Sequence, residues 1–313
     1  MSIKKVTLSI ICGVIFIGCG AYFWKQSPQQ KIILQKKIKV VTTLYPLYNF
    51  TKEIGKNLVD VTLLIPPGVE PHSFEPTPRD MIILNEADLF IYTGPLMETW
   101  AENVIKGVSN NRLIVVNTSK SVRLIPAVFH DLGEKQGALD PHIWLGLNND
   151  HKIIDEITNG LIQADKKNSS FYRKNAQEYQ NEITALEAKY KEGLTTCRNR
   201  TVVYGGHYTF GYLARQYNLT YLAAAGISSD AEPTASDLKR LVETVKREHV
   251  STIFYQELSS PKVAETIAEE SGTQMLLLNG AHTISKHDFE RGVSFIEIMK
   301  NNLHNLRKGL GCI

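Results

Sequence analysis

Four of the nine histidines in this 313-residue chain stand in loops stiffened by proline or glycine. His72 lies in "IPPGVEPHSFEPTPRD" (65–80) and His142 in "DPHIWLGL"; His207 directly follows "TVVYGG", and His282 follows "MLLLNG" by one residue. Proline fixes φ and restricts the residue before it, so a histidine in such a loop has little freedom to lose when it holds a ligand. Neutral imidazole suits Zn²⁺, which accepts tetrahedral nitrogen coordination at about 2.0–2.1 Å. Mn²⁺ and Mg²⁺ call for more carboxylate oxygen. Taken singly, each of these histidines reads as an ordinary satisfied loop residue. Taken together they read as one metal site. The spacings are long-range, and no local motif such as H-E-x-x-H occurs. His130, His151, His249, His287 and His304 fall in polar loops or on solvent-facing helix positions and read as surface residues.

Position relative to strand ends carries this reading. From residue 38 onward, apolar β-branched runs alternate with helical segments: "IKVVTTL", "VDVTLLI", "DLFIYTG" and "RLIVVNT" in the first half. After residue 200 the pattern returns as "TVVYGG", "LTYLAAAG", "VSTIFYQE" and "TQMLLLNG". Continuous apolar strands between helices predict parallel sheets covered on both faces. Thr77, Pro78 and Asp80 supply an N-cap, an N1 proline and an acidic first turn for the helix in "PRDMIILNEAD". "SDLKRLVETVKRE", "KVAETIAEES" and one last helix over 289–308 follow in the second half. In open parallel sheets ligands gather beyond the carboxyl ends of the strands, which is where these four histidines fall.

Between the halves lies "SSFYRKNAQEYQNEITALEAKYKEGL". Its apolar positions Tyr172, Ala176, Tyr179, Ile183, Leu186 and Tyr190 step by four and three, marking one face of a long helix. With no proline and no glycine before Gly193, this is a strut about 40 Å long. The expected fold class is α/β, with two lobes, each a mainly parallel sheet flanked by helices, bridged by one long rigid helix. The expected boundaries are 38–165 for the first lobe, 166–195 for the bridging helix and 196–313 for the second lobe.

The amino terminus reads as an export signal, with Lys4 and Lys5 ahead of an apolar run over 6–24. "FIGC" resembles the lipobox of bacterial lipoproteins, with Cys19 as the residue to be cleaved before and acylated. The same run is about long enough to remain as an uncleaved anchor. Either way 1–19 is the signal, 20–37 a tether, and the remainder lies outside the cytoplasmic membrane, on a cell surface or in a periplasm. Net charge is only +3 with mixed signs, which points away from nucleic-acid partners. Two further cysteines, Cys197 and Cys312, are far apart in an exported chain and read as one disulfide.

"TTLYPLYNFTKEIGKN", "PPGVEPHSFEPTPRD", "DPHIWL", "GGHYTFGYLARQY", "AEPTASDLKRLVE" and "SPKVAETIAEESG" together resemble the cluster A-I metal-binding receptors of bacterial ABC importers. The resemblance runs from about residue 38 to the last helix. It implies a single ion held between the lobes and an ABC permease as partner, with the receptor a monomer. The family's first ligand falls on His72 and its second on His142. The third, histidine in zinc receptors and glutamate in manganese receptors, is His207. The fourth is often Asp or Glu; here the matching place carries His282, with Glu257, Asp230 and Glu232 as competing acids. "DPHIWLGL" departs from the family's "DPHIWLDP" at Gly146 and Leu147. Zinc receptors often carry a long histidine-rich loop between the first two ligands, whereas "AVFHDLGEKQGALD" has His130 alone and reads as a plain connection.

The resulting expectation is an extracytoplasmic receptor that carries Zn²⁺ as its transported ligand, with no catalytic residues and no Walker-type phosphate loop. Its rivals are a Mn²⁺ or Fe²⁺ receptor of the same family, an adhesin on the same fold, and a secreted zinc hydrolase. The last needs an open coordination position and a general base, with Glu257 as the acid for that role.

Overall fold

Each predicted apolar run forms a strand in the computed structural model, which describes residues 36–128, 137–227 and 233–313. The first lobe runs β1 (Ile38–Thr42), α1 (Tyr45–Gly55), β2 (Val59–Leu63), α2 (Pro78–Glu86), β3 (Leu89–Tyr92), α3 (Ala101–Gly107) and β4 (Ile114–Asn117). Two helices follow, α4 (Leu147–Ala164) and α5 (Ser169–Gly193). The second lobe runs β5 (Thr201–Tyr204), α6 (Gly211–Gln216), β6 (Thr220–Ala223), α7 (Ala235–Arg247), β7 (Thr252–Tyr255), α8 (Lys262–Ser271) and β8 (Gln274–Leu277). Two helices close the chain, α9 (Lys286–Arg291) and α10 (Phe295–Gly309). Export signal, Cys19, His130, Asp230 and Glu232 lie outside the described residues. Among the described residues no helix is long and apolar enough to cross a membrane.

Both sheets are parallel and share one order, β2-β1-β3-β4 and β6-β5-β7-β8. Side-chain alternation sorts each strand between two layers. Val40, Leu89 and Ile91 face the large core that both lobes share, while Val41, Phe90 and Tyr92 face a smaller outer core with Leu84 and Ala101. In the second sheet Val202, Tyr204 and Phe254 join the shared core, and Val203 and Ile253 pack outward on Leu241 and Ala264.

The expected strut is α5, 25 residues long, or about 38 Å at 1.5 Å per residue. All six of its predicted apolar positions are buried. Its polar tips are tied to both lobes: Asn175 Nδ2 donates to Ile54 O (2.9 Å), Tyr179 Oη to Asn49 Oδ1 (3.2 Å) and Tyr190 Oη to Met299 O (2.6 Å). Buried tyrosines thus satisfy their hydroxyls while filling the core. A helix bonded at both ends leaves little room for wide hinge motion.

The structure corrects two expectations here. The last helix is not one but two: Gly292 adopts φ 71° and ends α9, and Ser294 accepts from Glu297 N (3.1 Å) to start α10. A left-handed glycine stops a helix because it carries no Cβ penalty. His151 is also more than a surface residue, since it is half-buried on α4 with Nε2 3.3 Å from Glu187 Oε2.

Beside it, Asp150 is fully buried, and neither carboxyl oxygen meets a hydrogen-bond donor among the described residues. Burial, with the Glu187 charge adding to it, pushes its pKa well above the usual carboxylate range. A raised folded pKa means the folded chain holds a proton that the unfolded chain has lost, so this group's contribution falls as pH rises above about 4. Asp150→Asn should therefore gain stability over the parent, and the gain should widen from pH 5 to pH 8 in urea titrations of the metal-free protein. A difference that stays constant across that range would mean that Asp150 does not titrate in this way.

Candidate metal centre

Loops from both lobes bring three imidazoles together. The ligand-capable atoms of His72, His142 and His207 all lie within 4.8 Å of one another. The ring centroids form a nearly equilateral triangle, at 5.2 Å for His72–His142, 5.2 Å for His72–His207 and 5.3 Å for His142–His207. His72 Nε2 is 3.2 Å from His142 Nε2.

The loop of His72 leaves β2 through Pro66 and Pro67 and crosses to the second lobe at Gly68, whose N–H donates to Thr283 Oγ1 (3.3 Å). His142 sits between Pro141 and a short 3₁₀ turn, Ile143–Leu145, that leads into α4. Its Nδ1 is 2.8 Å from Asp140 Oδ1, which also accepts from the His142 N–H at 3.0 Å. Trp144 beside it donates Nε1–H to Gly280 O in the other lobe (2.8 Å). His207 follows Gly205 and Gly206, and both glycines are required by close approach. A Cβ on Gly205 would lie 2.7 Å from the Ala264 Cα, and one on Gly206 would lie 2.7 Å from Gln256 Oε1. That same amide oxygen is 2.8 Å from His207 Nδ1.

Asp140 and Gln256 therefore play one role twice. Each accepts from a Nδ1–H, which fixes the tautomer and turns Nε2 toward the centre as a free donor for a metal. His207 Nε2 is buried with no hydrogen-bond partner among the described residues. The topological switch point between β1 and β3 is not the site. The buried Glu98 fills it, accepting from Thr43 Oγ1 (2.5 Å), Thr93 N (3.1 Å) and Gly94 N (2.9 Å).

His282 stands apart from this triangle. Its ring is 5.6 Å from that of His207 and 6.5 Å from that of His72. It lies between two carboxylates, with Nε2 3.8 Å from Glu70 Oε2 and Nδ1 4.0 Å from Glu257 Oε1. Glu257 is itself pinned, accepting from the Gly280 N–H at 3.0 and 2.9 Å. In the turn preceding His282 the left-handed residue is Ala281 at φ 56°, and not the adjacent Gly280, and Ala281 N donates to Asn279 Oδ1 (2.8 Å). Gly280 is needed for room instead, since a Cβ there would lie 2.7 Å from His282 Nδ1.

Electrostatics separate the four histidines in the same way. Burial, then the neighbouring imidazoles, hold His142 well below the usual histidine range. Burial likewise lowers His207 to about 3, with His282 and His72 adding to it. Burial works in the same direction on His282, but Glu70 and Glu257 outweigh it and raise that pKa. For Glu70, burial is outweighed by His282 and by the His72 N–H, which hold its carboxyl down to about 2. Asp140 is pushed up to about 8 by burial, against the pull of the His142 N–H. Two neutral imidazoles turn their Nε2 atoms toward one centre, that of His142 meeting His72 Nε2 at 3.2 Å, and a paired carboxylate and imidazole stand next to them.

Asp140, Gln256 and Glu70 were not picked out from the sequence as working residues. Asp140 and Glu70 each lie two positions before a histidine across a proline, a spacing that signals a side chain able to fold back on its neighbour. Gln256 gives no such signal, because only strand pairing of β5 with β7 brings it to His207.

Comparison with known proteins agrees with this architecture. The family described as ZnuA, zinc-uptake complex component A, periplasmic, matches residues 40–309. The high-affinity zinc uptake system protein ZnuA of Bacillus subtilis is 37% identical over 306 residues, covering 96% of this chain and 95% of that one. Among solved structures, the metal-dependent lipoprotein YcdH of B. subtilis superposes with a TM-score of 0.76 at 39% identity, over 88% of this chain and 100% of that one. The Zn(II)-bound ZnuA-like domain of Streptococcus pneumoniae AdcA gives a TM-score of 0.76 at 31% identity, over 88% and 99%. With a full-length relative at this identity, a family match over most of the chain and the same two-lobed fold, the chain belongs to the ZnuA family.

Proposed function

We propose that this chain captures Zn²⁺ outside the cytoplasmic membrane and delivers it to an ABC import permease. The observation that carries the reading is the convergence of His72, His142 and His207 within 4.8 Å, two of them with Nδ1 already engaged. Zinc takes such nitrogen sets in tetrahedral geometry, and His282 is the nearest fourth imidazole. A dication at the centre would draw His282 in and hold the neighbouring acids ionised. The zinc-uptake name of the B. subtilis relative and the Zn(II)-bound state of the pneumococcal domain support the choice of metal. Four nitrogens in place of carboxylate oxygen disfavour Mn²⁺ and Fe²⁺ transport.

The chain is read as a receptor and not an enzyme. Glu257, the acid a hydrolase reading would need as its base, has both carboxyl oxygens turned to the Gly280 N–H. The reading includes a monomer without nucleic-acid partners, held at the membrane through Cys19 or an uncleaved anchor, and a site closed between lobes 38–165 and 196–313. Metal analysis and calorimetric titration of the soluble part, Lys37–Ile313, with Zn²⁺, Mn²⁺ and Fe²⁺ test it. One Zn²⁺ per chain, bound much more tightly than Mn²⁺, is expected. His282→Ala should weaken zinc binding by at least about tenfold, or about 1.4 kcal/mol. Tighter Mn²⁺ than Zn²⁺ would replace the zinc reading, and hydrolysis of ester or peptide probes would reopen the enzyme reading.

A further inference from the structure

Glu70 has no place among the four imidazoles, yet its partly exposed carboxylate faces His282. A cavity of about 400 Å³ adjoins the centre and is lined by Glu70, Glu257, His207 and His282 among others. Of the two carboxylates, Glu257 is 7% exposed and fixed by Gly280, whereas Glu70 is 28% exposed and sits on the proline loop of His72. Its Oε1 accepts from the His72 N–H (3.2 Å) while its Oε2 faces His282 Nε2 at 3.8 Å. One carboxylate thus links a member of the triangle to the histidine outside it. The His282–Glu70 separation is that of an ion pair and not of a hydrogen bond, so it can be exchanged for a stronger partner. Inside, the buried His207 Nε2 offers a donor atom that has no hydrogen-bond partner among the described residues.

We propose that Glu70 is the landing carboxylate for the incoming dication: it meets the ion at the cavity mouth, exchanges His282 for it, and passes it to the three imidazoles. The inference rests on the zinc-receptor reading. A carboxylate oxygen is a competent first ligand for Zn²⁺, and negative charge lining a low-dielectric cleft raises the capture rate of cations. The exchange also accounts for the position of His282. While Glu70 faces it, His282 has a carboxylate on each nitrogen and cannot join the triangle. Once Glu70 turns to the ion, Nε2 faces the centre.

Stopped-flow mixing of metal-free Lys37–Ile313 with Zn²⁺, read through a weak zinc indicator, tests this. Glu70→Gln should slow association by about tenfold at low ionic strength, with dissociation little changed. The difference should shrink at high salt, where exposed charges are screened. Glu70→Asp, which keeps the charge, should recover most of the rate. Glu75→Gln, an exposed acid on the same loop, should behave like the parent. Circular dichroism and melting curves identify any variant that fails to fold, and Glu70→Ser, a second charge-free variant expected to be slowed alike, then takes the place of Glu70→Gln. Overturning results are an association rate for Glu70→Gln equal to that of Glu75→Gln, or an unchanged association rate with faster dissociation. The latter would make Glu70 a permanent ligand or a loop support. If the parent protein itself binds no Zn²⁺, the receptor reading falls first; if it binds and Glu70→Gln matches it, only the landing role falls.

Discussion

His207→Ala should weaken zinc binding by at least about a hundredfold, or about 2.8 kcal/mol, while leaving the fold in place. Of the three converging histidines it is the one most fully prepared. Its Nδ1 is held 2.8 Å from Gln256 Oε1, its backbone carbonyl accepts from Thr209 Oγ1 at 3.0 Å, and its Nε2 has no hydrogen-bond partner among the described residues. Little entropy remains to be lost when it binds, so nearly all of its bond to the ion appears as affinity. Removal leaves a gap beside Gly206. Water can fill the vacated position but does not carry the anchoring that Gln256 gives to the ring. Competition against a fluorescent chelator reads the loss, with His249→Ala and His304→Ala as exposed controls expected to bind like the parent. Affinity within threefold of the parent would remove His207 from the ligand set.

Flanking glycine or proline drew attention to these histidines, and the loops of His72 and His207 also follow strands of a parallel sheet. His72, His142 and His207 meet, although the residues span both lobes. What could not be read is finer than chain topology. That His282 faces two carboxylates instead of the triangle depends on where the His72 loop crosses to Thr283, a contact between residues 215 positions apart. Before His282 the left-handed residue is Ala281, although glycine is the usual one, and Gly280 answers instead to a nearby imidazole ring. The break between α9 and α10 was written in Gly292 and Ser294, but the apolar periodicity continues across it. Cap chemistry, more than periodicity, marks such boundaries. The strut was the easiest element to foresee, since twenty-five residues without a breaker leave one reading.

Cys197 and Cys312 form a disulfide with a sequence separation of 115, and its loss should have the largest effect on stability of any single change considered. Cys197 precedes β5 and Cys312 follows α10, so the bond closes the whole second lobe into a loop. The chain-entropy model gives about 4.7 kcal/mol for a loop of roughly a hundred residues, and delivered values are commonly lower. The paired segments keep backbone bonds of their own, from Asn199 N to Leu310 O (3.1 Å) and from Arg198 N to Gly311 O (3.4 Å). Reduction should therefore leave the folded structure recognisable and act mainly by freeing the unfolded chain. The effect reaches the metal centre through α10. Asn302 accepts from Asn279 N (2.8 Å) and donates back to Asn279 O (2.7 Å), holding the turn before His282. Asn305 Nδ2 donates to Leu277 O (2.8 Å) just upstream. Replacing both cysteines with serine should lower unfolding stability by about 3–5 kcal/mol in denaturant titrations. Zinc affinity should fall only severalfold while the protein remains folded, because His72, His142 and His207 do not depend on that helix end. A denaturation midpoint unmoved by reductant would show that the cross-link adds nothing to this lobe, and an affinity loss as large as that of His207→Ala would mean that α10 positions far more of the site than His282.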